Sequence, residues 1–122
     1  TNIGRVENGE FLGGEFTLEE PANYVEIVVK DSDGNLVDKI QLNSLQAGTY
    51  KIEWDAKDQK GNKVSDGNYT FSIIIPYKDT IKTITPIMVA KITGARFGEN
   101  TQIVINENYT ITPEDIKELI GG

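Results

Sequence analysis

The middle of the chain alternates between apolar and polar side chains at a period of two. In the segment 49–55, Tyr50, Ile52 and Trp54 occupy one face, and charged residues occupy the other. Because successive side chains of a strand point to opposite sides of a sheet, this alternation predicts an antiparallel strand with one buried face. Similar patterns predict strands over residues 24–30, 36–40 and 69–75. The predicted core of this region consists of Tyr50, Ile52, Trp54, Tyr69, Phe71 and Ile73.

Turn-forming residues separate these strands at short intervals. Asp33-Gly34 is a strong hairpin signal, and Lys60-Gly61-Asn62 and Asp66-Gly67-Asn68 punctuate the chain further on. Short strands separated by turns at a spacing of roughly 8–12 residues are typical of a β-sandwich. The sequence therefore predicts an all-β fold built around such a sandwich.

The last third of the chain carries a different pattern. Residues 77–85, between Pro76 and Pro86, fit either one more strand or a connector. Short strands are predicted over residues 87–92, 102–105 and 109–111. Residues 112–120 predict a short helix, because Thr112 can cap its first turn and Pro113 suits the first helical position.

Composition excludes several classes of function. The chain has 122 residues, no cysteine, no histidine and a net charge of −7. The acidic balance argues against nucleic acid and anionic membrane surfaces as partners, and no apolar run is long enough to cross a membrane. Without cysteine or histidine, the commonest catalytic nucleophile–base pairs and the commonest transition-metal ligands are missing. We therefore expect no enzyme activity, no metal and no cofactor.

Two groups of acidic residues are candidates for chemistry. The segment Asp31–Asn35 begins like a calcium-binding loop, but Leu36 and Leu42 stand where such a loop needs glycine and a bidentate acid. A hairpin turn is the better interpretation. Asp55, Asp58 and Asp66, near Trp54, could form a carboxylate pair for glycoside hydrolysis, but turn-initiating aspartates at strand ends are much more common. Trp54 could likewise stack on a sugar, although its alternation with Tyr50 and Ile52 favours the core.

Several stretches together resemble the C-terminal region of bacterial flagellar hook-capping proteins. Residues 22–75 resemble their Ig-like domain, through the segments 29–37, 47–55 and 66–69 and through Gly61. Ile3-Gly4-Arg5-Val6 resembles the strand that precedes that domain in the family. Residues 90–97, 102–105 and 112–120 resemble the segment that follows it. The chain departs from the family at 106–108, where an Asn-Gly turn is more common.

The resemblance implies a specific architecture and role. It implies an Ig/fibronectin-III-like β-sandwich, residues 18–78, inserted into a small Tudor/SH3-like barrel formed by residues 1–17 and 79–122, with one short C-terminal helix. It also implies a non-catalytic scaffold at the distal tip of the growing flagellar hook, which guides polymerisation of hook-protein subunits. The expected partners are those subunits and further copies of the same protein. The expected location is extracellular, after export through the flagellar channel, with the export signal upstream of Thr1.

Two alternatives remain open at this stage. One is a generic Ig-like binding or accessory module of a secreted bacterial protein, which would have no reason to carry both flanking segments. The other is a carboxylate-based carbohydrate-active enzyme, which would need an open cleft with clustered acids and exposed aromatic residues. Candidates for a partner surface are the aromatic residues Phe11, Tyr77 and Phe97.

Overall fold

The computed structural model describes residues 2–96, 102–106 and 109–111. It is all-β, with no helix among these residues. The predicted helix over residues 112–120 lies outside the described part of the chain. Twelve strands follow in chain order: β1 (Ile3–Glu7), β2 (Glu10–Phe11), β3 (Gly14–Leu18), β4 (Ala22–Lys30), β5 (Leu36–Leu45), β6 (Gly48–Lys51), β7 (Gly67–Tyr77), β8 (Thr80–Ile84), β9 (Ile87–Met88), β10 (Ile92–Arg96), β11 (Gln102–Ile105) and β12 (Tyr109–Ile111).

The chain divides into two compact units, Thr1–Val89 and Ala90–Gly122. The first unit contains a six-stranded antiparallel sheet. Five of its strands follow the order β2-β1-β7-β4-β5, and the sixth, β8, pairs with the C-terminal half of β7. The first unit also contains a three-stranded sheet in the order β6-β3-β9. Since β1 pairs with Gly67–Thr70 of β7, it belongs to the larger sheet. The predicted division into residues 18–78 and a discontinuous barrel stays a prediction.

Apolar side chains from both sheets form one core in the first unit. β3 contributes Phe16 and Leu18, and the alternating residues of β4 and β7 complete the opposite layer. Val25, Ile27 and Val29 of β4, with Phe71 and Ile73 of β7, have at most 1% of their surface exposed. Strands that present every second side chain to a facing sheet in this way form a β-sandwich.

The boundaries of several predicted strands differ from those observed. The single strand predicted over residues 87–92 is wrong: β9 ends at Met88 and β10 begins at Ile92, because the former pairs with β3 and the latter with β11. The predicted strand 49–55 ends at Lys51, although Ile52 and Trp54 beyond it are still buried. β7 continues through Pro76 to Tyr77 and forms a hairpin with β8, which resolves the ambiguous stretch 77–85. β4 pairs with β7 only as far as Ile74. Pro76 lies beyond that point, where β8 is the one described neighbour of β7, so a proline, which has no N–H to donate, is tolerated there.

The second unit contains an antiparallel sheet in the order β10-β11-β12. Ile105 and Asn106 are its buried residues among those described. The Asn106 backbone N–H donates to the Lys91 carbonyl at 2.8 Å, and the Lys91 N–H donates to Asn106 Oδ1 at 3.0 Å. Asn106 has a positive φ of 48°, a conformation that asparagine adopts more readily than most residues. The asparagine at the position where the chain departs from the family pattern therefore ties two segments of this unit together.

Candidate functional site

Four aromatic rings meet on one side of the core of the first unit. Phe11 stacks on Phe71 with ring centroids 4.9 Å apart. Trp54 makes edge contacts with Phe11, Tyr69 and Phe71, with centroid separations between 5.4 and 5.7 Å. Edge-to-face and offset stacks of this kind add to the stability that burial alone provides. Trp54 is therefore a core residue in contact with three other rings.

Gly4 on β1 allows this cluster to form. A Cβ at position 4 would lie 2.5 Å from Phe71 Cε1, 2.8 Å from the terminal methyl of Met88 and 3.0 Å from Phe11 Cε1. Gly14 on β3 is similarly restricted, because a Cβ there would meet the Met88 side chain at 2.8 Å. The glycine of the Ile3-Gly4-Arg5-Val6 segment is thus explained by close ring packing against the strand.

The polar edge of Trp54 is fixed by two acceptors. Its Nε1 donates to Asp38 Oδ2 and to the Lys57 carbonyl, both at 3.1 Å. The Lys57 N–H in turn donates to Asp55 Oδ1 at 3.1 Å. A buried indole N–H normally finds such a partner. These bonds hold Asp38 of β5 beside the ring and set the course of the chain after β6.

An open pocket of about 520 Å³ lies against the exposed side of this cluster. Phe11, Ile40, Ile52 and Trp54 provide its apolar wall, and Gly13 contributes backbone. Its remaining lining residues are Asp38, Glu53 and Asp55. Within the described part of the chain, the lining of this pocket carries three carboxylates and no cationic side chain. We call it the acidic pocket.

The β7–β8 hairpin ends in a second distinctive surface. Tyr77 is 56% exposed and Ile81 is 64% exposed. Tyr77 pairs with Thr80, and Pro76 pairs with Ile81, so these apolar residues lie at the tip. Lys78 in the turn and Lys82 on β8 are also exposed, together with Asp79. We call residues 76–82 the hairpin tip.

The three predicted partner-surface residues therefore lie in different surroundings. Tyr77 lies exposed at the hairpin tip. Phe11 is partly buried and stacked on Phe71, so it contributes to the wall of the acidic pocket. Phe97 lies outside the described residues. Of the residues predicted as core, Ile52, Trp54, Tyr69, Phe71 and Ile73 are buried, and Tyr50 is partly buried and stacks on Phe16 at 5.7 Å.

The segment Asp31–Asn35 forms a hairpin turn between β4 and β5. Asp31 Oδ1 accepts the N–H groups of Asp33 and Asn35, both at 2.9 Å, and Gly34 has a φ of 84°. Asp58–Asn62 forms the same loop, with Asp58 Oδ1 accepting from Lys60 and Asn62 and with Gly61 at φ 85°. These backbone hydrogen bonds hold the pKa of both aspartates below the usual value of 3.8. Both carboxylates thus stabilise the turns in which they lie.

A third aspartate connects distant parts of the chain. Asp66, just before β7, accepts the N–H groups of Asn8 and Gly9 at 2.8 and 2.9 Å. These hydrogen bonds from Gly9 and Asn8 lower the Asp66 pKa below 3.8. Asn8 and Gly9 both have positive φ, 53° and 78°, and they form the turn between β1 and β2. Asn-Gly is the sequence signal for such a two-residue hairpin, and it could have predicted β2.

Two tyrosines each donate a hydrogen bond to a backbone carbonyl four residues upstream, just before the strand begins. The Tyr69 hydroxyl donates to the Ser65 carbonyl at 2.6 Å, and the Tyr50 hydroxyl donates to the Gln46 carbonyl at 2.7 Å. Each tyrosine lies two residues after a glycine with positive φ: Tyr69 after Gly67, and Tyr50 after Gly48. Burial, with the nearby Asp31 and Asp66 charges, raises the pKa of Tyr69. A tyrosine bonded back to upstream backbone is a hallmark of Ig-like sandwiches.

Two kinds of feature, metal-binding groups and membrane-spanning helices, are absent from the described residues. The described residues contain no group of three or more acidic side chains placed to hold a metal ion. They also contain no helix that could cross a membrane. The distinctive surfaces of the first unit are therefore the acidic pocket and the hairpin tip.

Comparison with known families gives a match over most of the first unit. Residues 2–74 match the family model described as the FlgD Ig-like domain. Over 104 residues, the chain is 28% identical to the basal-body rod modification protein FlgD of Salmonella typhimurium and 24% identical to that of Escherichia coli. The alignments cover 84% of this chain and 45% of each relative. The chain thus spans a little less than half the length of these curated relatives.

Solved structures show the same fold. The crystal structure of FlgD from P. aeruginosa is similar with a TM-score of 0.83 and 22% identity, covering 93% of this chain and 88% of that one. FlgD of Xanthomonas campestris, whose structure was reported with insights into hook capping in flagellar assembly, has a TM-score of 0.78 and 14% identity. That alignment covers 98% of this chain and 88% of the other. At these identities the likeness establishes the fold.

Proposed function

This chain belongs to the family of FlgD Ig-like domains, and from that premise we propose that it is part of a flagellar hook-capping protein. In this role it is a non-catalytic scaffold at the distal tip of the growing hook, where it guides hook-protein subunits into the lattice. The observation that carries the proposal is the family match over residues 2–74. The match includes Gly4, whose close packing against Phe71 gives the family-like segment a structural role.

The described surface supports a role in binding proteins. Three aspartates that the sequence offers as candidates for chemistry, Asp31, Asp58 and Asp66, accept backbone N–H groups at turns. The exposed apolar residues of the hairpin tip are suited to contact with another protein surface. The proposed partners are hook-protein subunits and further copies of the protein, with neither nucleic acid nor membrane as a ligand. The proposed location is outside the cell, after export through the flagellar channel.

Deleting the gene from its source bacterium tests the proposal. We expect basal bodies with rods but without hooks, together with hook protein released into the medium. Complementation with the full-length gene is expected to restore hooks, and the full-length gene lacking the codons for residues 1–122 is expected not to restore them. Normal hooks in the deletion strain would refute the capping role. In that case a binding module of a secreted protein would become the better interpretation.

A further inference from the structure

The two distinctive surfaces of the first unit are complementary in charge. The acidic pocket exposes Glu53 and Asp55 at its rim, with Asp38 in its wall. The hairpin tip exposes Lys78 and Lys82, against the single acid Asp79. The hairpin tip thus carries a net charge of +1 in a chain whose net charge is −7. Such opposed patches steer association and select a register.

The two surfaces are also complementary in polarity. The acidic pocket has an aromatic and aliphatic wall that includes Trp54 and Phe11. Next to it, Leu12 and Val89 are exposed, with Val89 close to Gly13. The hairpin tip presents Tyr77 and Ile81, the two most exposed large apolar residues of the described chain. Apolar anchors with a charged periphery are the usual composition of a protein interface.

These surfaces lie too far apart to meet within one molecule. Phe71, whose ring packs against Phe11 and Trp54 at the pocket, lies on the same strand as Tyr77. Six residues of extended chain separate Phe71 from Tyr77, which is about 20 Å at the rise of a β-strand. The hairpin tip of one molecule can therefore reach only the pocket of another.

A symmetric contact between two hairpins is less favourable. In a fully overlapping antiparallel pairing of β8 with a second β8, the central residue Lys82 would face its own copy. Like charges directly opposite each other destabilise a pair of strands. The acidic pocket offers the opposite charge to the same lysine. The arrangement of charges thus favours a contact between different surfaces of the two copies.

We propose that the hairpin tip of one copy docks into the acidic pocket of a second copy, which produces a head-to-tail association of the first unit. Tyr77 covers the apolar wall, and Lys82, which lies on the same face of the hairpin as Tyr77, pairs with Glu53 or Asp55 together with Lys78 from the turn. Because the same two surfaces are used at every contact, the association extends to a ring or a chain of copies. The inference rests on the self-association included in the proposed function, and it identifies the surfaces that carry it.

Charge reversal tests this contact in the purified 122-residue chain. We would prepare a pocket variant, Glu53→Lys with Asp55→Lys, and a hairpin variant, Lys78→Glu with Lys82→Glu. All four residues are exposed. Because Asp55 also accepts the Lys57 N–H, urea denaturation of the pocket variant would verify that it keeps the fold of the wild type. Glu19→Lys with Glu20→Lys is the matched control for the pocket variant, since it changes the net charge equally at exposed positions outside both surfaces.

Sedimentation equilibrium would report the mass of each protein over a range of concentrations at low salt. We expect the wild type and the control to self-associate. Each reversal variant alone is expected to have an association constant at least about tenfold lower, because like charges then face each other. An equal mixture of the two variants is expected to regain association, since each hairpin then meets a pocket of opposite charge. The emission of Trp54, the single tryptophan, should change in parallel.

A wild type that stays monomeric up to its solubility limit would overturn the inference. Association that both reversal variants retain, or a mixture that fails to associate, would overturn it as well. These outcomes are independent of the deletion phenotype. Hookless cells together with a monomeric chain would leave the capping role standing and remove only the head-to-tail contact.

Discussion

Replacing Gly4 by alanine is the most direct test of how the aromatic cluster is packed. The added Cβ would lie 2.5 Å from Phe71 Cε1 and within 3.0 Å of Met88 and Phe11. Phe71 is completely buried and cannot move away without disturbing β7. Overpacking a core in this way costs about 2 kcal/mol, which lowers the Tm of a domain of this size by ~10 °C. A glycine free of such contacts would instead gain stability of about 0.5 kcal/mol on substitution.

Urea denaturation of the wild type and of Gly4→Ala, followed by Trp54 fluorescence, measures this difference. Gly94→Ala is the control, because among the described residues a Cβ there would meet only the Val104 side chain, at 3.8 and 3.9 Å. Its effect is expected to stay within about 0.5 kcal/mol. Phe71→Leu should partly relieve the clash, so the double variant is expected to be more stable than the sum of the two single effects by about 1 kcal/mol. An unchanged or raised stability of Gly4→Ala would refute the close packing that we describe.

Three further predictions concern two hydrogen-bonded side chains and one strained backbone position. Trp54→Phe keeps one six-membered ring but removes the pyrrole ring with its donor to Asp38 and Lys57. We therefore expect a loss of at least about 2 kcal/mol in the free energy of unfolding, measured in urea by circular dichroism because the variant has no tryptophan. Asn8→Ala should lower the stability by about 1 kcal/mol, because residue 8 has a φ of 53°, whereas Asn8→Gly should have a smaller effect in the same assay. The pKa of Asp66 is lowered in the folded protein, so its contribution is present above the unfolded value near 3.8 and is lost as the pH falls through the folded value. Asp66→Asn should therefore be less stable than the wild type at neutral pH, and the difference should shrink in urea titrations taken at progressively more acidic pH; a difference independent of pH would contradict this assignment.

The sequence by itself determined the class of fold and much of its core. Alternating side chains in residues 24–30 and 69–75 predicted β4 and β7, because a strand with one buried face must place apolar residues at every second position. Asp33-Gly34 predicted the turn between β4 and β5 for a similarly local reason, since that dipeptide tolerates the backbone that a tight hairpin needs. The family resemblance also came from local segments, and the match over residues 2–74 agrees with it.

Only the tertiary structure decided which residues meet. Local patterns did not predict that Trp54 lies beyond the end of β6, because its place depends on acceptors from Asp38 and Lys57 and on three neighbouring rings. Neither did they explain Gly4, whose missing Cβ is required by rings from β2 and β7. The acidic pocket is likewise a product of strand pairing that brings distant segments together. Periodicity reports the surroundings of a residue along its own strand, whereas contacts across sheets depend on the register and the packing of the whole unit.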